Sequence, residues 1–163
     1  MHRFSQSLKK SIKYAYLFEP CYDKWFPYHT KIERKDADSK EQREGLDTTI
    51  YLKHGKKILI QEKMRFVKYD DIFLEIYSDL ERKTHGWMAK EQIHQFIAYY
   101  IQPTGKAYLL PTEPLRKAYL ENGTKWIKKY GFKDAVNQGY ITRGIPVPIN
   151  VLREEMIEAT TYP

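Results

Sequence analysis

The sequence predicts an α/β fold, bordering on α+β, in which a central mixed sheet of about four to five strands is flanked by helices. Three observations lead there. Runs rich in β-branched and aromatic residues (DTTIYLK, KILIQEKMRF, IFLEIY and FIAYYI) occupy the middle of the chain. Segments with helical spacing or helix caps lie toward both ends. The chain has 163 residues, a length that suits one domain with its own core. The expected organisation is a single domain, 1–163, with a helical and charged N-terminal segment (1–45) and a helical, basic C-terminal extension (111–163).

The elements follow in order. Phe4, Leu8, Ile12 and Ala15 recur on one helical face between Phe4 and Phe18, and Pro20 is expected to end that helix. Pro27 breaks the next stretch. Glu33 to Gly45 (ERKDADSKEQREG) is a charged run, read as a solvated loop or a short polar helix. Asp47 to Lys53 and Lys57 to Phe66 form a β-hairpin around a His54-Gly55 turn. Ile72 to Tyr77 is a third strand, apolar on both faces and therefore central, and it completes a meander with the hairpin. A short helix is expected around Trp87 to Gln95, then a strand from Phe96 to Ile101. Gly105 supplies a turn into a short strand from Lys106 to Leu110. Thr112 caps a helix over Glu113 to Asn122, with Pro114 in its first turn and Gly123 as its stop. Gly139 to Val147 reads as a strand and Pro148 to Ala159 as a last helix.

Composition narrows the function classes. Hydrophobic residues make up 42% and are spread along the chain, which excludes a disordered tail. No apolar run approaches the ~20 residues of a membrane helix, and no apolar stretch with a cleavage site follows the basic start. The single cysteine, Cys21, excludes an internal disulfide and fits a reducing, cytoplasmic setting. The formal net charge of +7 suits a polyanion such as DNA, because clustered Lys and Arg release counterions from a phosphate backbone.

Chemistry concentrates on the hairpin. Side chains alternate faces along a strand, so residue parity assigns faces. Thr48, Ile50 and Leu52 share one face with Ile58, Ile60, Glu62, Met64 and Phe66. Asp47, Thr49 and Tyr51 share the other with Lys57, Leu59, Gln61, Lys63 and Arg65. Matching the apolar faces puts Asp47, Gln61 and Lys63 on one side. A three-residue loop of His54, Gly55 and Lys56 then sets Lys53 opposite Lys57 and Asp47 opposite Lys63. Glu62 is left on an apolar face; a bulge or a buried partner such as an arginine would accommodate it.

That set suits phosphodiester hydrolysis, which needs a hard cation and a positioned water. Asp47 and an oxygen from Gln61 or Glu62 can hold Mg²⁺ or Mn²⁺, and Lys63 can offset phosphate charge or hold the attacking water. Glu75 adds a carboxylate where the third strand neighbours the second. The plain alternative is an amphipathic hairpin with a solvated basic face.

The stretch LDTTIYLKHGKKILIQEKMR resembles the PD-(D/E)xK nuclease superfamily, in which an acidic residue opens one strand and an acid or glutamine, any residue and a lysine follow on the next. Here these are Asp47 and Gln61-Glu62-Lys63, the Gln-x-Lys variant. QEKMR, then DIFLEIYSD and GWM, look like small restriction-type nucleases of phages and mobile elements. The likeness covers mainly Gln42 to Leu110; Leu46 stands where the family carries proline. It implies a restriction-endonuclease-like core, a metal-dependent DNA endonuclease activity, and Glu41 or Glu44 as the acid contributed by the first helix. Cutting both strands with one site per chain implies a homodimer.

The remaining candidates are less specific. His85 and His94 have no partners at metal-site spacing and are expected at the surface. Cys21 reads as a structural thiol. Arg65, Lys125, Lys128 and Lys129 can contact DNA phosphates, although the three lysines beside Trp126 equally describe a solvated helix face. Two other functions stay open: a nucleic-acid-binding module that does not cleave, and a protein-interaction domain.

Overall fold

The computed structural model describes residues 13–36 and 39–161, with the side chains of 159–161 left aside. The described chain is mixed α/β and divides into two compact units. One comprises the chain up to Lys68 together with Ile93–Pro111; the other comprises Tyr69–Gln92 and the chain from Thr112 onward.

The first unit is built on a five-stranded mixed sheet. Its strands are β1 (His29–Arg34), β2 (Thr48–Leu52), β3 (Lys57–Arg65), β6 (Phe96–Ile101) and β7 (Lys106–Pro111), in the order β1-β2-β3-β6-β7. All neighbours are antiparallel except β3 and β6, which run parallel. Part of the segment 1–45 enters this sheet, because its strand β1 pairs along β2. β1 (HTKIER) escapes sequence reading because its polar residues hide the alternation.

Before β1 lies helix α1 (Glu19–Trp25), preceded by a 3₁₀ turn at Ala15–Phe18. Pro20 does not end a helix: it sits in the first turn of α1, where its missing N–H costs nothing. Phe4, Leu8 and Ile12 lie outside the described residues. Phe18 and Tyr22 pack with Ile50, Ile58, Ile60 and Ala98 into a buried cluster on one face of the sheet. The charged run contains helix α2 (Lys40–Arg43), whose N-cap Ser39 accepts the Gln42 N–H at 3.2 Å.

The hairpin keeps the expected parity but not the expected pairing. Tyr51 faces Lys57, Ile50 faces Ile58 and Thr48 faces Ile60. His54 and Gly55 both take positive φ, 62° and 77°, and the loop closes with the Leu52 N–H on the Lys56 carbonyl at 2.8 Å. The loop thus starts one residue earlier than expected. The register moves by two, which preserves faces.

The second unit holds a four-stranded antiparallel sheet: β5 (Thr84–His85), β4 (Asp71–Asp79), β9 (Tyr140–Pro148) and β8 (Lys133–Asn137), in that order. β4 is internal, as its two apolar faces require, but its neighbours are β5 and β9. The expected meander with β3 does not form. Helices α3 (Thr112–Tyr130) and α4 (Ile149–Thr161) pack on each other and on β9. Gly123 does not stop α3; the helix continues for two further turns, with Gly123 buried against the Tyr119 ring. No helix forms around Trp87 to Gln95. The segment is turns and coil that bury Trp87 and Met88. Among the described residues, no helix is long and apolar enough to cross a membrane.

Candidate functional site

The site lies where β2 begins and β3 ends, on the face of the first sheet away from the Phe18–Tyr22 cluster. Parity sends Ile60 and Glu62 one way and Gln61 and Lys63 the other. On the second side Gln61 is 8% exposed, Thr49 is buried, and Lys63 and Arg65 are half-buried. This is not a solvated basic face. β6 continues it, with Ile97 beside Gln61 and Tyr99 beside Lys63.

Asp47 is anchored at both ends. Its N–H donates to the Ile60 carbonyl at 3.0 Å, and its Oδ2 accepts the Glu62 N–H at 2.8 Å. Burial pushes the Asp47 carboxyl above the usual carboxylate range. The Lys63 charge, the Glu62 N–H and the Gln42 side chain oppose that rise. Gln42 projects from α2, so the charged run supplies a side chain to the site. The S-x-x-Q pattern at Ser39–Gln42 was the legible signal for that helix start. Glu41 and Glu44, on the same turn, are exposed.

Glu62 is placed elsewhere. It shares the face of Ile60 and is 8% exposed. Arg34 Nη1 lies 2.6 and 2.8 Å from its two carboxylate oxygens, and the Tyr22 and Thr48 hydroxyls donate to Oε1 at 2.6 and 2.8 Å. Burial raises the Glu62 pKa, with Arg34, Tyr22 and Thr48 working against it. The same burial and the adjacent Glu62 charge raise the Tyr22 pKa. The expected alternative of Glu62 as a ligand is corrected accordingly: its side chain is engaged on the core face, and its backbone N–H is what reaches Asp47.

Glu75 is not joined to this set by the sheet. It lies on β4, which pairs with β5 and β9 in the second unit and not with β3. Of the expected phosphate-contacting residues, Arg65 closes β3 on the Lys63 side. Lys125, Lys128 and Lys129 are exposed on α3, around a Trp126 that is 1% exposed and serves the second core.

His94 corrects the expectation of a surface residue. The residue is 5% exposed; its ring nitrogens make no side-chain hydrogen bond, and the Gly45 backbone is the polar group that acts on the ring. It lies beside Gly45: a β-carbon there would stand 3.7 Å from His94 Nδ1 and 2.8 Å from Gln61 Nε2. Gly45 has φ +91°, a conformation that suits glycine. Desolvation and the Lys63 charge lower the His94 pKa to about 4, so the imidazole is neutral near pH 7. No sequence signal marks it, because a lone histidine before a strand has no diagnostic spacing. His85 behaves as expected: it is exposed and stacks on Tyr77.

Asp47 offers a carboxylate, and Gln61 Oε1 is a buried acceptor without a hydrogen-bond partner. Among the described residues, no group of three or more His, Cys, Asp or Glu could hold a metal ion. The chain matches no known protein family, and no curated protein or solved structure resembles it significantly.

Proposed function

We propose that this protein is a metal-dependent DNA endonuclease with a restriction-endonuclease-like core, whose site is formed by Asp47, Gln61 and Lys63. The observation that carries the reading is the sheet face shared by these three residues, on which Gln61 is buried and Asp47 and Lys63 are half-buried. A carboxylate, an unpartnered amide oxygen and an ammonium group are gathered there, at the positions of the PD-(D/E)xK pattern. An ordinary amphipathic hairpin has no reason to bury Gln61 and leave its carbonyl unsatisfied.

Asp47 and Gln61 would hold Mg²⁺ or Mn²⁺. When bound, such an ion supplies positive charge against a phosphate oxygen and lowers the pKa of water. The protein's own groups act around it. The Glu62 N–H fixes the Asp47 carboxylate, so its orientation is set before substrate arrives. Lys63 brings positive charge to the place where the phosphate gains negative charge as water attacks phosphorus and the P–O bond to the leaving oxygen breaks. Lys125, Lys128, Lys129 and Arg65 would contact the DNA backbone, and a homodimer would cut both strands.

A DNA-binding module without cleavage is the second reading. It is favoured by one observation: Asp47 is the site's own carboxylate, since the Glu62 side chain is bound to Arg34. A supercoiled-plasmid assay with and without Mg²⁺ or Mn²⁺ separates the two. Cation-dependent nicking that disappears in Asp47→Asn supports the nuclease. Binding without nicking in either ion supports the module.

A further inference from the structure

The end of α1 and the tip of the β2–β3 hairpin line a cleft of about 310 Å³ in the first unit, near the lower end of the roughly 300–1,000 Å³ typical of ligand sites. The segment Trp25–Tyr28 contributes three aromatic rings and Pro27; the hairpin contributes Leu52, Lys53 and Lys56. The aromatic wall is held from behind. Trp25 meets the buried Tyr22 ring edge-on at 6.0 Å, and Phe26 meets Phe96 likewise at 6.2 Å. The Phe26 N–H donates to the Tyr22 carbonyl at 2.8 Å and the His29 N–H to the Phe26 carbonyl at 2.9 Å, so the turn carrying Pro27 and Tyr28 is fixed at both ends. The Leu52 N–H, bonded to the Lys56 carbonyl, fixes the other rim. Tyr28 is 75% exposed and serves no core, although its ring carries a large apolar area. Lys53 to Lys57 (KHGKK) is exposed throughout, and neither Lys53 nor Lys56 is in an ion pair among the described residues. No carboxylate among the described residues lines the cleft.

Aromatic faces beside unpaired ammonium groups match a planar base joined to phosphates. A duplex hides its base faces in the stack, so the match is to unpaired nucleotides. We infer that this cleft takes the unpaired nucleotides of a DNA strand, with a base against the Trp25, Phe26 and Tyr28 rings and adjacent phosphates on Lys53 and Lys56. An apolar peptide would leave both lysines without a counterion, and a second copy of this chain would bring its own charge of +7 to them. The choice of DNA over RNA rests on the nuclease reading; the cleft does not. Asp47 precedes β2, and Leu52 ends it on the opposite face, about 16 Å along the strand. The cleft is thus a strand-capturing contact separate from the Asp47 site.

The test is titration of the full chain with oligothymidylate, without divalent cation, followed by tryptophan emission. Trp87 and Trp126 are 5% and 1% exposed whereas Trp25 is half-buried, so quenching by a stacked base reports Trp25. Emission should fall on binding. Tyr28→Ala, which removes no core group, should lose about tenfold in affinity for oligothymidylate and less than about twofold for a duplex of equal length. Lys53→Gln with Lys56→Gln should lower the log–log salt slope by about 1.4, the share of two single-strand phosphates. Emission blind to bound oligothymidylate, unchanged affinity in a folded Tyr28→Ala chain, or equal losses for single strand and duplex overturns the inference. So does tighter binding of oligouridylate, which would make the occupant RNA, or displacement of oligothymidylate by an equal concentration of a glutamate–tyrosine copolymer, which would make it an acidic peptide. Cleavage judges the nuclease reading separately. A chain that cuts DNA, yet binds oligothymidylate as tightly after Tyr28→Ala, sinks the inference alone. Tyr28-dependent binding by a chain that cuts nothing sinks the nuclease reading alone.

Discussion

Arg34→Ala is the most informative single substitution in the first unit. Arg34 holds Glu62 through Nη1, at 2.6 Å from Oε1 and 2.8 Å from Oε2, and ties the Ala15 carbonyl through Nη2 at 2.6 Å. The Tyr22 and Thr48 hydroxyls both donate to Oε1, so losing Arg34 strips Oε2 of its donor and leaves a buried charge without a counterion. Removing one partner of a buried pair costs about 3–5 kcal/mol. The Arg34 side chain is 28% exposed, so the lower end applies: about 3 kcal/mol, or ~6–12 °C in Tm for a chain of this size. The loss should also depend on pH. The Glu62 pKa is raised in the folded chain, chiefly by burial. The folded state therefore binds this proton more tightly than the unfolded one. The resulting stabilisation is full below the unfolded pKa and is lost as pH rises through the folded one. Without Arg34 the folded pKa rises further, and the protonated carboxyl needs no counterion. The deficit should be largest at pH 7 and smaller at pH 5, and adding Glu62→Gln to Arg34→Ala should recover part of it. Urea unfolding followed by circular dichroism at both pH values measures this. A loss under about 1 kcal/mol at pH 7, or an equal loss at pH 5, would refute the idea of a buried pair that needs its arginine.

Three further outcomes are expected. Asp47→Asn should lower cation-dependent DNA cleavage by about a hundredfold or more, with the circular dichroism spectrum unchanged; retained cleavage would move the site elsewhere. DNA affinity should fall steeply with salt, and replacing Lys125, Lys128 and Lys129 with alanine should reduce the log–log slope by about one for each phosphate no longer neutralised. A slope untouched by the triple variant would leave those lysines as a solvated helix face. Gly45→Ala forces a side chain into φ +91° and against Gln61 Nε2, and should cost about 1–3 kcal/mol in urea unfolding. A stability equal to wild type would show that the turn relaxes freely.

The sequence by itself determined the hairpin and its faces. Even-numbered Ile50, Ile58 and Ile60 had to share one side, because a one-residue slip would exchange them with Gln61 and Lys63 and bury a lysine among apolar groups. That constraint survived a loop starting one residue earlier than expected, since a shift of two leaves parity intact. It also left Glu62 on the apolar face needing a partner, and Arg34 answers that need. Which arginine it would be was not legible, because β1 carries no alternation and finds its place only by pairing with β2. Tertiary structure alone decided the neighbours of β3. IFLEIY and FIAYYI are both strongly apolar, and nothing local says that Phe96–Ile101 joins β3 in parallel while Asp71–Asp79 enters another sheet. Glu75 leaves the shared sheet for that reason. His94 comes to lie beside Gly45 for a similar reason: the Gln95 N–H bonds to the Leu59 carbonyl at 2.9 Å, which brings a residue more than thirty positions away in the chain next to Gly45 and Gln61. Periodicity reports which side of a strand faces a core. It carries no information about which distant segment covers the other side, because that is settled by long-range pairing and packing.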